Sequence, residues 1–247
     1  MASAPFSLSG LFLSTVIPAK AGISLAFTAG LAWFVVDPIH RPAGVAQIGS
    51  GQVEGRDAAT LDANRARPQS GRMTATIRIA RPEDAAALAA LKLRTFRETF
   101  LEEGFAIPYP AADLAIFEAD SYSVPAIAAE LADAGRRSWV AEADGRLLGY
   151  AQVGPCKLPH PEAGEEQGEL YQLYLLREAQ GMKLGKALLD AAIAYLAETR
   201  PGPVWLGVWS GNDKAQAVYA ARGFEKVGEY RFKVGSWYDE EYILRKG

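Results

Sequence analysis

Residues 170–189, Leu170-Tyr-Gln-Leu-Tyr-Leu-Leu-Arg-Glu-Ala-Gln180-Gly181-Met-Lys-Leu-Gly185-Lys-Ala-Leu-Leu, decide the fold. Six of the seven residues 170–176 are apolar or aromatic, the composition of a strand buried on both faces. A glycine-marked turn follows and leads into a helix. At such a helix start several backbone N–H groups lack carbonyl partners, and the positive end of the helix dipole lies there. Phosphate and diphosphate groups bind in that setting, so the segment points to a nucleotide-like cofactor.

Two familiar phosphate turns do not match. The dinucleotide pattern G-x-G-x-x-G is absent, and no acidic residue closes a strand where a ribose would sit. A nucleotide P-loop requires G-x-x-x-x-G-K-[ST]. Here Gly181 to Gly185 is one residue too short, and Ala187 stands where a metal-binding hydroxyl belongs.

Downstream, Val204-Trp-Leu-Gly-Val-Trp209 reads as a second strand and Ser210-Gly211-Asn212 as the passage into another helix. That helix stops at Gly223, with Phe224 placed for the apolar contact that accompanies a glycine C-cap. Asn212 and Tyr219, seven residues apart, lie on one face about 10 Å apart along the axis. Ala215 between them leaves room for a slender ligand.

Strand, loop and following helix resemble the acetyl-coenzyme A site of the GNAT superfamily of N-acetyltransferases, whose loop reads Q/R-x-x-G-x-G/A. Gln180, Gly185, Lys186 and Ala187 fall in register with it. Lys183 departs, standing where the first glycine belongs; a negative φ would accommodate it, and its ammonium would add attraction for phosphate. The resemblance implies that Leu173, Tyr174 and Leu175 on the strand hold acetyl-CoA as co-substrate. It implies the same for Gln180, Gly181, Met182, Lys183, Leu184, Gly185, Lys186 and Ala187 in the loop, and for Asn212, Ala215 and Tyr219 on the helix.

The implied reaction is direct attack of a neutral amine on a thioester in a ternary complex, where holding the reactants in line is worth about 7–11 kcal/mol. In the resembling family, a backbone N–H at the bulged end of the strand matching Leu173–Leu175 meets the developing oxyanion. Tyr219 is implied as general acid for the departing thiolate. From an ordinary phenol to an ordinary thiol that transfer is uphill by about 2 kcal/mol. Glu169 is the best-placed carboxylate for the general base, and Tyr171, two residues on, could orient the amine or relay its proton. Glu162, Glu165 and Glu166, in a Pro/Gly-rich loop, could attract a cationic acceptor.

Cys156 is the only cysteine and has no flanking histidine, so it reads as unreactive. His40 and His160 are the only histidines, too few for a zinc or di-metal cluster; no metal is expected.

Residues 1–72 are rich in Gly, Ala, Ser and Pro and hold six basic and four acidic residues, which leaves 20 basic and 25 acidic residues in 73–247. An acidic body argues against nucleic acid as a partner and suits small cationic substrates. A single cysteine is consistent with a reducing cytoplasm. Ala21–Val36 is a largely apolar run, short for a membrane span and poor as a signal peptide. Ser14–Ile23 also resembles a translated bacterial intergenic repeat. The expectation is that Met73 is the true start and that 1–72 is a spurious extension or disordered leader; a membrane anchor is the rival reading.

From Met73 onward, Thr76–Ala80 alternates like a first strand, and Arg81-Pro82-Glu83-Asp84 opens a helix with Leu88, Leu91, Thr95 and Phe96 along its apolar stripe. Helical stretches follow at about 111–119 and 124–134. Asp144-Gly145 joins strands 138–143 and 147–153 as a hairpin. Leu184, Leu188, Leu189, Ile193, Tyr195 and Leu196 give the post-loop helix a broad buried face, and 225–230 with 232–244 close the chain as an antiparallel pair. This order predicts an α/β domain over 73–247: a mixed, mostly antiparallel, twisted sheet flanked by helices, as the GNAT resemblance also implies.

Thr95-Phe96-Arg97-Glu98-Thr99-Phe100, Val204–Trp209 and Tyr230-Arg-Phe-Lys-Val-Gly-Ser resemble bacterial PaiA-type polyamine acetyltransferases. That implies a polyamine or other small primary amine as acceptor, held by the helices of 94–125 and the loop 154–169, with Trp205, Trp209 and Trp237 as further candidate lining. The alternatives are O-acyl transfer on the same scaffold and an acyl-coenzyme A-binding regulatory module without turnover. Room is left for a homodimer.

Overall fold

The computed structural model describes residues 75–101 and 104–247; the leader 1–72 and the start at Met73 lie outside them. Strand β1 (Thr76–Ile79) leads through a 3₁₀ turn at Pro82–Asp84 into α1 (Ala85–Phe100). Helices α2 (Ala111–Tyr122) and α3 (Val124–Ala132) follow, the latter capped by the Ser123 hydroxyl on Ala126 N–H and carrying Pro125 in its first turn, where proline costs no hydrogen bond. Next come β2 (Arg137–Ala143), β3 (Arg146–Pro155), β4 (Gly168–Leu175), α4 (Leu184–Thr199), β5 (Val204–Trp209), α5 (Asp213–Ala220), β6 (Glu225–Val234) and β7 (Trp237–Lys246).

The seven strands form one sheet in the order β1-β2-β3-β4-β5-β7-β6. Every pairing is antiparallel except β4 with β5. Asp144 and Gly145 join β2 to β3 with φ of 50° and 74°, the double left-handed conformation of a two-residue hairpin turn. At the other hairpin the sequence puts a break near Arg231, yet β6 runs on to Val234 and turns at Gly235-Ser236. The Ser236 N–H and hydroxyl both donate to Asp113 of α2, pinning that hairpin to the helical layer.

Helices cover both faces. On one, α4 lays Leu188, Leu189, Ala192 and Leu196 on the sheet, and Tyr195 meets Trp139 of β2 edge-on. On the other, α1 brings Leu88, Leu91, Phe96 and Phe100 to the core. Lys92 is buried there against Glu130 of α3, and Gln152 of β3 also donates to Glu130. Among the described residues, no helix is long and apolar enough to cross a membrane.

The decisive departure from a regular sheet is at its middle. β4 and β5 pair only over Gly168↔Val204 and Glu169↔Trp205. Beyond that point β4 stays with β3 as far as Leu175, and β5 stays with β7 as far as Trp209. The sheet therefore forks just past Glu169, and the β5-facing edge of β4 from Leu170 onward has no strand partner. An unpaired edge offers main-chain donors and acceptors to an extended ligand.

Candidate active site

The loop after β4 lies at the open end of the fork. Leu176 is followed by a 3₁₀ turn at Arg177–Ala179 and by Gln180 in extended conformation. Gly181 has φ 78° and Lys183 φ 63°, and Lys183 is the N-cap of α4. Ala187 N–H closes the first helical bond on the Lys183 carbonyl at 3.2 Å. The N–H groups of Leu184, Gly185 and Lys186 thus precede the helical ladder, as helix geometry requires. The expectation for Lys183 is corrected here: its φ is positive, not negative. The turn demands the left-handed conformation that a glycine adopts freely, and lysine takes it at a cost of about 1 kcal/mol. Its side chain is exposed, while Lys186 pairs with Asp190 at 2.6 Å.

Asn212, Ala215 and Tyr219 are buried on α5. Asn212 Oδ1 accepts the Ala215 N–H at 3.0 Å and so caps the helix; its Nδ2 is buried without a partner. Gly223 ends the segment with φ 82°, and Phe224 packs against Tyr219 with ring centroids 5.7 Å apart. The Tyr219 hydroxyl, wholly buried, has no partner. Burial raises its pKa further above the ordinary phenol value, with the Arg222 charge opposing weakly. It stays protonated, as an acid must, but gives up its proton less readily than a phenol in water.

Glu169 occupies the apex of the fork. It is fully buried, not the strand-end residue at a solvated mouth that its sequence position allows. Its Oε2 accepts the Lys157 N–H at 2.7 Å, and its Oε1 is buried without a partner. Burial pushes its pKa up to about 8, opposed by the Lys157 N–H and ammonium. A carboxyl titrating near neutrality with one free oxygen has the properties of a general base. Beside it, burial and then the Glu169 charge push the Cys156 thiol up to about 12, which makes it a poor nucleophile.

Tyr171 takes a different role from the one its spacing suggests. Its hydroxyl donates to the Pro155 carbonyl and is committed there. Its ring lies over Gly154, between Arg136 at 5.4 Å and Lys157 at 5.6 Å. Tyr171 is also the extra residue of a β-bulge, since Gln152 pairs with Gln172 and Val153 with Leu170. The distortion of β4 thus falls upstream of the Leu173–Leu175 segment.

Unpartnered buried polar atoms collect around the fork: Glu169 Oε1, Gln172 Oε1, Tyr174 Oη, Asn212 Nδ2, Tyr219 Oη, Tyr230 Oη and both oxygens of Glu241. Such atoms are rare in folded proteins because each costs about 1–3 kcal/mol. Most belong to the strands and the helix that border the fork; Arg137 Nε on β2 is a further such atom.

The profile of the acetyltransferase (GNAT) family matches residues 93–224. The chain belongs to this family. An N-acetyltransferase of Mycobacterium bovis is 32% identical over 163 residues, covering 65% of this chain and 96% of that protein. Another, from the pepI 3′ region of Lactobacillus delbrueckii subsp. lactis, is 26% identical over 164 residues, covering 66% of this chain and 92% of its own. Among solved structures, the PaiA N-acetyltransferase of Thermoplasma acidophilum in complex with coenzyme A superposes with a TM-score of 0.55 at 21% identity, over 70% of this chain and 99% of that one.

As a GNAT acetyltransferase the protein takes acetyl-CoA as co-substrate, and its residues fit that molecule. The loop supplies amides that precede the α4 helical ladder, β4 an open main-chain edge, and Asn212 Nδ2 and Tyr219 Oη uncommitted polar atoms. Among the described residues, no group of three or more His, Cys, Asp or Glu gathers as metal ligands would. His160 packs on Trp205, and Glu162 pairs with Arg245.

Sequence reasoning passed over Asp239 and Glu241, both buried on β7. The signal was available. Trp237, Asp239, Glu241 and Ile243 alternate on one face of a strand that otherwise reads as central, and acids at two successive inward positions there are anomalous. It also passed over the hydroxyls of Tyr109, Tyr174 and Tyr230, whose register with distant strands no local pattern records. Of the three candidate tryptophans, Trp205 is core, its Nε1 donating to Gln167 at 2.6 Å. Trp209 and Trp237 lie by the acidic pair.

Proposed function

We propose that the protein transfers the acetyl group of acetyl-CoA to a primary amine of a small, polyamine-like molecule, by direct attack in a ternary complex. The observation that carries this reading is Glu169: a buried carboxyl, one oxygen satisfied and one free, at the apex of the fork.

Acetyl-CoA supplies an activated acyl group as a thioester. The amides of Gly181, Met182, Lys183, Leu184, Gly185 and Lys186 hold its diphosphate; those of Gln180 and Ala187, at the two ends of the loop, are bonded to the Arg177 and Lys183 carbonyls. The free edge of β4 at Leu173, Tyr174 and Leu175 aligns the extended arm, and Asn212 Nδ2 and the face at Ala215 receive it on the α5 side. Glu169 Oε1 accepts the proton of the incoming ammonium, leaving a neutral nucleophile. A main-chain N–H of β4 beside the Tyr171 bulge meets the carbonyl oxygen as charge develops on it. As the C–S bond breaks, Tyr219 Oη gives its proton to the departing thiolate, and the second proton that the nitrogen sheds on becoming an amide restores the phenol. The buried acids on the sheet and the net acidic charge of 73–247 favour a cationic acceptor, and the PaiA enzyme is a neighbour in fold.

Thiol release from acetyl-CoA, followed with a panel of amines that includes spermidine, tests the reading. Turnover is expected with primary amines. Binding of acetyl-CoA by calorimetry with no thiol release for any amine would replace it with a non-catalytic acyl-coenzyme A-binding module. Release with alcohols alone would replace it with O-acyl transfer.

A further inference from the structure

Asp239 and Glu241 are neighbours on the same face of β7, and the fold treats them differently. Asp239 has both oxygens satisfied, Oδ2 by the Tyr109 hydroxyl at 2.6 Å and Oδ1 by Trp237 Nε1 at 3.0 Å. Glu241 is fully buried with neither oxygen satisfied. Among the described residues, the charge that acts on it is a like one, Asp239. A carboxyl kept for architecture would be given donors, as Asp239 is, because a buried acid without partners destabilises the fold.

Its surroundings are aromatic. The register sets Glu241 opposite Trp209 of β5 and opposite Tyr230 of β6, and directly opposed side chains lie about 5 Å apart at Cβ. Phe105 covers Trp209 with ring centroids 4.4 Å apart. The Glu241 charge is felt by Tyr109, Tyr174 and Tyr230, and the hydroxyls of Tyr174 and Tyr230 have no partner. Gly207 makes room for the Tyr230 hydroxyl itself, since a Cβ there would stand 2.5 Å from it. A carboxylate walled by aromatic rings and phenolic oxygens is built for an alkylammonium, which gains a charge-assisted hydrogen bond and cation–π attraction together.

Its position along the sheet sets Glu241 apart from Glu169. Glu169 stands opposite Trp205 and Glu241 opposite Trp209, four residues along β5 and so about 13 Å of strand. Tyr230 lies between them and feels both charges.

We propose that Glu241, with Trp209, Tyr174 and Tyr230 around it, binds a second, non-reacting ammonium of the acceptor, so that the enzyme selects diamines and longer polyamines over monoamines. This inference rests on the amine-acetylation reading above. Burial raises the Glu241 pKa well above the ordinary carboxyl value, and an arriving ammonium opposes that shift and favours release of the proton. Asp239 on its own strand and Tyr109, Tyr174 and Tyr230 on the packed elements are the other titratable groups that face it.

The test compares putrescine with butylamine, which lacks the second charge, in wild type and in Glu241→Gln. The ratio of kcat/KM for putrescine over butylamine is expected to fall by about 10- to 100-fold in the variant, the range of a charged hydrogen bond. An unchanged ratio overturns the proposal. Tyr230→Phe, which keeps the ring, is expected to lower the same ratio by about threefold and serves if Glu241→Gln fails to fold; no change in it then overturns the proposal. Should wild type acetylate neither amine, calorimetry with putrescine separates the two readings. Binding with proton release to wild type but not to Glu241→Gln upholds the ammonium site while the transferase reading falls. No binding to wild type overturns the site itself.

Discussion

The two sides of the fork are built on different principles. On the α4–α5 side the working groups are mostly backbone amides and one capping asparagine, delivered by a loop and helix starts that lie within about forty residues of one another. On the β7 side they are charged and phenolic side chains from β4, β6, β7 and the segment after α1, with the Trp209 indole of β5, brought together by strand register. The first kind of site can tolerate side-chain change because its donors are main-chain. The second depends on single carboxyls in a low-dielectric interior, where each is worth far more than it is in water. Substitutions on the two sides should therefore separate cleanly, acceptor-side changes acting on chemistry and selectivity, and cofactor-side changes acting on binding and stability.

The largest effect is expected at the apex. Glu169→Gln should lower kcat/KM by about 10²–10⁴-fold, the usual contribution of a positioned general base, with acetyl-CoA affinity changed little. The wild-type rate should rise with pH through about 8, where the Glu169 carboxyl loses its proton, and that rise should vanish in the variant. Stability has the opposite sign. The folded pKa lies above the unfolded value of 4.5, so folded Glu169 retains a proton that the unfolded chain has released. Its contribution is complete below about 4.5 and is lost as pH climbs through about 8. Thermal melts from pH 5 to 9 should show a shallower decline in Glu169→Gln than in wild type. Equal slopes together with an unaltered rate profile would remove Glu169 from the mechanism.

Tyr219→Phe tests the point where the two sides meet. A drop of about 10- to 100-fold in kcat is expected, at the lower end because burial already makes this phenol a reluctant acid. The variant should also be at least as stable as wild type, since it deletes a buried hydroxyl without a partner. A variant that melts earlier and loses acetyl-CoA affinity in step with kcat would make Tyr219 a packing residue.

The same division explains what could be read from the sequence. Strand 170–176, the helix after the loop, the passage through Asn212 into a further helix and the Gly223 stop are local signals, and the structure has each of them, with the strand at Gly168–Leu175 and the helix starting at Leu184. The Asp144-Gly145 hairpin is equally local. Glu169 could be named from its place at the start of β4, but its burial could not, because Cys156, Lys157 and Trp205 come to it from other elements. Tyr171 shows the limit most clearly. Its alternation with Glu169 suggests a relay, whereas the bulge and the Pro155 carbonyl redirect its hydroxyl. Glu241 is the extreme case, an acid whose meaning depends on Trp209 and Tyr230 lying opposite it across two strand pairs.

The smallest effect should come from the cofactor side, at Lys183. The loop holds this residue at φ 63° and ψ 9°, a left-handed conformation that costs a lysine about 1 kcal/mol. Glycine takes it without strain but loses more backbone entropy on folding, so the two effects partly offset. Lys183→Gly is expected to raise stability by at most about 0.5 kcal/mol, read as a small rise in Tm. On the proposal that amides hold the diphosphate, acetyl-CoA affinity should survive the loss of the exposed ammonium, with a Kd within about threefold of wild type at physiological salt, where screening weakens a surface charge. A large loss of affinity, restored by Lys183→Arg, would instead mean that the side-chain charge carries the grip. The departure from the family's glycine would then be a working cation, and the contrast between a backbone-built side and a side-chain-built side would fail at its simplest point.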